Sequence, residues 1–180
     1  ELLQTRMNLE LAATDEMLAI ARDVRPADCC LVPERREEVT TEGGLDIAGQ
    51  SQRVAEGCRV LAAAGVRVAL FIDADPRQSE AAAQTGAPVV ELHTGAYPQA
   101  SGGAIAVELE KLSTGARLAA SFGLEVHAGH GLHYHNVEPV AAIPAIVELN
   151  IGHAIIARSV FEGLRTAVRD MRALMQAARR

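Results

Sequence analysis

The 180-residue chain contains no tryptophan, only three phenylalanines and two tyrosines, and no run of lysine and arginine. Without a basic stripe or aromatic stacking platforms, nucleic acid is not expected as a partner. Seventeen basic against 23 acidic residues give a formal charge of −6, so any anion site must be local. No apolar stretch approaches the roughly 20 residues of a membrane span. Glu1 begins the chain without the charged and apolar regions of a secretory leader, so no membrane partner is expected. Cysteine is scarce and odd in number. Cys29 and Cys30 are adjacent in an apolar run and Cys58 stands alone; a bridge between neighbours would be strained, which predicts buried free thiols, Cys29 and Cys30 as core packing, and a reducing, cytoplasmic setting.

With 49% hydrophobic residues, the chain can bury one core, and residues 1–180 are read as a single domain. Six short apolar runs rich in Val, Ile and Leu predict strands at 6–11, 29–32, 66–72, 89–92, 124–128 and 147–151. Their lack of clean alternation suits strands covered on both faces. Between them lie helical signals. Thr14 precedes Asp15 and Glu16 and a stripe at Met17, Ala21 and Val24; Val54, Cys58 and Leu61 form a stripe that ends at Gly65; Asp75-Pro76 opens a helix that stops at Gly86. A longer helix is expected over about 103–122, Asn136 is a candidate cap for a short one, and Val160, Leu164, Val168, Met171 and Met175 predict one final amphipathic helix.

Regular βα succession argues for a parallel α/β sheet. An open doubly wound sheet fits 180 residues, whereas a TIM (β/α)₈ barrel needs about 250. Two further units of about 30 residues each would supply the difference. The chain starts abruptly and without an initiator methionine, and the favoured reading is a barrel that lacks its first two βα units. The last two strands are then the seventh and eighth, whose following loops commonly build a phosphate site.

Those two strands carry the most informative residues. Residues 124–131 read LEVHAGHG and residues 147–153 read VELNIGH, so both strands end at a glycine-histidine tip where backbone N–H groups could approach an anion. Four polar residues at strand ends are candidates for chemistry: Glu10, Glu91, His130 and His153. A carboxylate opposite a histidine forms a usable acid/base pair. The structural alternative for either glutamate is a partner for Arg6 or Arg67. His127, His130, His133 and His135 invite a metal reading, but they lack helical zinc spacing and have no acidic residue among them, so no metal is expected and His133 and His135 are read as solvent-side. The long charged loop 33–49 is either a plain connection or a lid in which Thr40 and Thr41 offer hydroxyls to a phosphate and Gly43-Gly44 form a hinge.

The segments TRMNLE (5–10), CCLVPERREEVTTEGGLD (29–46), LFIDAD (70–75), ELHTG (91–95), AGHGLHYHN (128–136) and ELNIGHAIIAR (148–158) resemble, in order and over nearly the whole chain, the pyridoxine 5′-phosphate synthase family of deoxyxylulose-dependent vitamin B6 synthesis. The resemblance implies a TIM barrel with extra helices, assembled as a homo-octamer. The implied reaction condenses 3-amino-2-oxopropyl phosphate with 1-deoxy-D-xylulose 5-phosphate and releases phosphate and water, with no metal or organic cofactor. It further implies that Glu10 and His130 are catalytic acid/bases and that Glu91 stabilises charge in the transition state. Thr40 is implied to bind the deoxyxylulose phosphate, and Gly131, Gly152 and His153 the aminoketone phosphate. The family's third catalytic residue, a histidine on the second strand, has no counterpart in this chain, so the 180 residues alone are expected to be inactive. The rival readings are a metal-dependent barrel lyase or hydrolase built on the histidine cluster, and a non-catalytic phosphate-binding fragment.

Overall fold

The computed structural model describes residues 3–34 and 43–180. Six parallel strands, β1 (Asn8–Ala12), β2 (Asp28–Val32), β3 (Arg67–Ile72), β4 (Val89–His93), β5 (Glu125–Gly129) and β6 (Ile146–Asn150), form one sheet in sequential order. Each lies within two residues of its predicted start and end. A doubly wound sheet reverses its strand order at a switch point. The unbroken order β1 to β6 instead keeps the helices on one side, as in an arc of a (β/α)₈ barrel.

The two faces of the sheet differ accordingly. On the helix side, Leu11, Cys29, Leu31, Val68, Leu70, Ile72, Val90, Leu92, Val126 and Ala128 pack into the main core. On the other side a small cluster of Cys30, Ala69 and Val89, flanked by Val32 and Phe71, lines the barrel interior. On β2, β3 and the start of β4 strand residues thus alternate between two apolar environments, which explains why these runs show no apolar/polar alternation.

The helices are α1 (Asp15–Val24), α2 (Ser51–Ala63), α3 (Pro76–Gln84), the short α4 (Ala96–Gln99), α5 (Ala104–Ser121), α6 (Val137–Ala141), α7 (His153–Glu162) and α8 (Leu164–Ala177). Local signals set several of their ends. The Thr14 side chain accepts from Met17 N, and Asp75 accepts from Arg77 N ahead of Pro76. Two expectations are corrected. The last amphipathic helix is two helices, because Gly163 takes φ +81° and breaks the chain direction; Val160 and Leu164 of the predicted stripe are exposed, while Met171 is buried. Asn136 occupies the N-cap position of α6, but its side chain is used outside the helix, accepting from His133 N and donating to Gly131 O. Helix α4, after β4, had no periodic signal.

One irregularity positions the site. The pairing of β5 with β6 runs Val126↔Ile146 and then His127↔Glu148, a bulge that leaves Val147 unmatched. The extra residue inverts the phase of β6. Glu148 and Asn150 therefore share the inner face with His127 and Gly129, and Val147 is exposed.

Candidate active site

The C-terminal strand ends enclose a cavity of about 830 Å³ lined by Glu10, Phe71, Glu91, His93, His130, Gly131, His133, Asn150, Gly152 and His153, among others. Every sequence-predicted site residue that falls within the described residues is here. Thr40, with Thr41, lies outside the described residues.

Glu10 sits on β1 opposite Cys30 of β2 and is exposed at the cavity wall. Glu91 is the opposite case, at 7% exposure. Its Oε2 accepts from Asn150 Nδ2 at 2.7 Å and from the Cys30 thiol at 3.5 Å. Burial raises its pKa to about 7; the hydrogen bonds from Cys30 and Asn150 oppose the shift, and the charges of Glu10 and Glu148 add to it. Glu91 therefore changes protonation near neutrality, as an acid/base group or a switchable donor must. Burial, with the Glu91 and Glu10 carboxylates, pushes the Cys30 thiol far up, so it stays protonated and donates. Cys30 is buried as expected, but it faces the interior and touches the Glu91 carboxylate. Gly129 is required beside this group, because a Cβ there would overlap Glu91 Oε1 and stand 3.0 Å from Asn150 O.

Neither glutamate is paired to the arginines suggested by sequence. Arg6 Nη2 binds Asp28 Oδ1 at 2.6 Å, while Arg67 binds Glu125 at 2.8 Å and lies 3.8 Å from Asp28. His127 joins this second, lower layer: its Nε2 is 2.9 Å from Glu125 and its Nδ1 3.5 Å from Glu148. The histidine cluster is thus divided, with His127 turned toward the N-terminal layer and His130 at the cavity. Among the described residues no group of three His, Cys, Asp or Glu converges as a metal site. His133, expected on the solvent side, lines the cavity, whereas His135 is exposed.

His130 has φ +83°, one of two non-glycine residues with positive φ among those described. Such a backbone costs on the order of 1–3 kcal/mol and needs its surroundings to hold it. Thr94 supplies that hold: its N–H donates to Gly129 O at 2.8 Å, and its single Oγ1–H is shared between Gly129 O, at 2.8 Å, and His130 O. The His93 ring lies edge-on to the His130 ring, with centroids 4.9 Å apart. His93 Nδ1–H donates to Asp73 Oδ1 at 3.0 Å, and this bond is the main cause that holds the Asp73 carboxyl below its ordinary range. Asp73, His93, Thr94 and Asn150 all stand inside segments that carry the family resemblance, yet nothing in the linear sequence marked them as site residues.

The third part of the cavity is the N-terminus of α7, where Gly152 is the N-cap and His153 the first helical residue. The first N–H groups of a helix have no intrahelical partner and favour an anion. Gly152, His153 and Ala154 line the cavity, and a Cβ at Gly152 would meet nothing within 4 Å. The helix is aimed by contacts farther along: the Arg158 guanidinium stacks 4.4 Å from the Tyr134 ring centroid and binds Asp170 at 2.7 Å, and Tyr134 OH donates to Ala167 O. Gly131 has φ +78° and faces the same cavity. In the loop before α2, Gly44 N donates to Asp73 Oδ1, and a Cβ at Gly44 would overlap the Ile72–Asp73 backbone. The demand on Gly44 is close approach to β3.

Residues 1–177 match the family model described as "Pyridoxal phosphate biosynthesis protein PdxJ". The chain is 60% identical over 178 residues to a protein of Pseudoalteromonas translucida (strain TAC 125) named pyridoxine 5′-phosphate synthase, covering 98% of this chain and 73% of that protein. Among solved structures, an HpcH/Hpal aldolase/citrate lyase family protein from Burkholderia cenocepacia J2315 superposes with a TM-score of 0.61 at 16% identity, covering 96% of this chain and 76% of that one. A xylose isomerase domain protein from Planctomyces limnophilus superposes with a TM-score of 0.55, also at 16% identity, over 93% of this chain and 72% of that one. At such identity these two structures bear on the fold alone.

Proposed function

The chain belongs to the pyridoxal phosphate biosynthesis protein PdxJ family, and from that premise we propose that it is a pyridoxine 5′-phosphate synthase. It condenses 3-amino-2-oxopropyl phosphate with 1-deoxy-D-xylulose 5-phosphate to pyridoxine 5′-phosphate, with release of phosphate and water. The observation that supports this most directly is the convergence of Glu10, Glu91, His130 and the open N-terminus of α7 on one cavity.

The chemistry asks for successive proton transfers around a ring that is being built, and for two phosphate anchors that keep the reacting carbons in place. Glu10, exposed on the cavity wall, is the group free to reach substrate and to take and return protons. His130, held in a strained backbone, is the second acid/base. Glu91 lies deeper and is supported by Asn150 and Cys30; with its pKa raised to about 7, it can donate to or accept from a group that gains charge in the transition state. Gly131, Gly152 and His153 bind the phosphate of the aminoketone through backbone N–H groups and the positive end of α7. Thr40 binds the deoxyxylulose phosphate. The enzyme acts in the cytoplasm as a homo-octamer and uses no metal or organic cofactor.

Because the 180 residues alone are expected to be inactive, the direct test is formation of pyridoxine 5′-phosphate from the two phosphorylated substrates by the purified complete enzyme, treated with a chelator. Product formed in proportion to enzyme supports the assignment. No product, or turnover that requires added metal, overturns it.

A further inference from the structure

We infer that Asp73 and His93 form a positioning dyad for His130: Asp73 fixes the orientation and tautomer of the His93 ring, and that ring fixes the imidazole of His130 for proton transfer. This inference rests on His130 being an acid/base of the proposed synthase.

Three independent features place the dyad. First, His93 is held at both ends of its ring system. Its Nδ1–H donates to Asp73 at 3.0 Å, and its ring packs against Phe71 at 5.2 Å between centroids. A carboxylate accepts only, so the proton is kept on Nδ1 and the opposite nitrogen, Nε2, is turned toward Gly95. Second, the absence of a side chain at Gly95 is what admits the pair. A Cβ there would overlap His93 Nε2 and stand 3.1 Å from His130 Cδ2. Third, the next residue, Thr94, clamps the carbonyls of Gly129 and His130. The His93-Thr94-Gly95 tip of β4 is thus a mould: Thr94 holds the left-handed backbone of His130, and His93 meets its ring edge-on.

Asp73 also ties this mould to the chain before α2. The same Oδ1 that accepts from His93 accepts from Gly44 N at 3.1 Å, and the neighbouring Leu45 N donates to Phe71 O at 2.7 Å. His93 has a side-chain exposure of 9%, against 52% for Asp73. The ring is therefore enclosed by the protein, and the carboxylate that fixes it approaches from the solvent side.

The test combines ring ¹⁵N NMR of histidine-labelled enzyme with a kinetic cycle. Asp73→Asn should release the His93 tautomer, shift the His130 ring resonances and lower kcat by about 10- to 100-fold, with KM for both substrates within about twofold. In a His130→Ala background the same substitution should have no further effect on kcat, because its action passes through that ring. His93→Asn, which keeps a donor at the Nδ1 position, should retain more turnover than His93→Leu, and this comparison serves equally if Asp73→Asn folds poorly. Unchanged His130 resonances, an unchanged kcat, or full additivity in the cycle would each overturn the inference. Complete wild-type enzyme without synthase turnover would sink the synthase reading instead, and the His130 resonances alone would then decide whether the dyad positions that ring.

Discussion

Asn150 donates from Nδ2 to Glu91 Oε2 at 2.7 Å across the width of β5, between residues 59 positions apart. The contact exists because the bulge at Val147 puts Asn150 on the inner face. It gives a buried carboxyl one strong partner while leaving its pKa raised to about 7, and this has a measurable consequence for stability.

Because the folded pKa of Glu91 lies above its ordinary value of 4.5, the folded protein keeps this proton where the unfolded chain has lost it. Stability contributed by the group is complete below about pH 4.5, falls as pH rises toward 7, and changes no further above that. Glu91→Gln stays neutral and should remove this component. The stability of the variant relative to wild type is expected to grow between pH 4.5 and 7 by on the order of 3 kcal/mol and then level off. Urea unfolding at a series of pH values measures it, and a pH-independent difference would contradict the assignment.

Glu10 is exposed on the cavity wall, so Glu10→Gln should leave the unfolding free energy within about 0.5 kcal/mol of wild type. The amide preserves shape but cannot exchange a proton. Turnover should fall by about 10²-fold or more at saturating substrate, with both KM values little changed. A kcat near that of wild type would remove Glu10 from the proton-transfer role.

Gly152 faces open space, and a Cβ at this position would have no neighbour within 4 Å. Gly152→Val should therefore fold with a Tm close to wild type and act only on what binds in front of α7. KM for the aminoketone phosphate should rise about tenfold or more, and KM for the deoxyxylulose phosphate much less. Equal losses for both substrates would refute a single phosphate cradle at this helix end.

Gly131 is the contrasting glycine. Its φ is +78°, and a Cβ would stand 2.8 Å from Pro98 Cγ, so Gly131→Ala should strain the backbone and displace α4. A loss of about 1–3 kcal/mol in unfolding free energy is expected from denaturant titration. A variant as stable as wild type would show that the turn relaxes without cost.

The six βα units were legible in the sequence because their signals are local: apolar runs of strand length, Thr14 and Asp75 as caps, and glycines at 65, 86 and 123 that end helices. The glycine-histidine tips and the strand-end glutamates could be placed on one rim once the strands were taken as parallel, since every strand then delivers its C-terminus to the same side. Gly163 was also visible, but the apolar stripe runs across it without a break, and only its positive φ divides α7 from α8. Tertiary structure alone decided which side chains meet. The phase of β6 depends on a bulge that no pattern in VELN reveals. From it follow both the Asn150–Glu91 bond and the His127–Glu148 approach. The raised pKa of Glu91, the capture of Arg6 and Arg67 by Asp28 and Glu125, and the Asp73–His93–His130 arrangement likewise join residues 20 or more positions apart. Local sequence sets the direction in which a strand runs. Which inward-facing neighbours share its level is set by strand register and curvature, and these arise only when the strands pair.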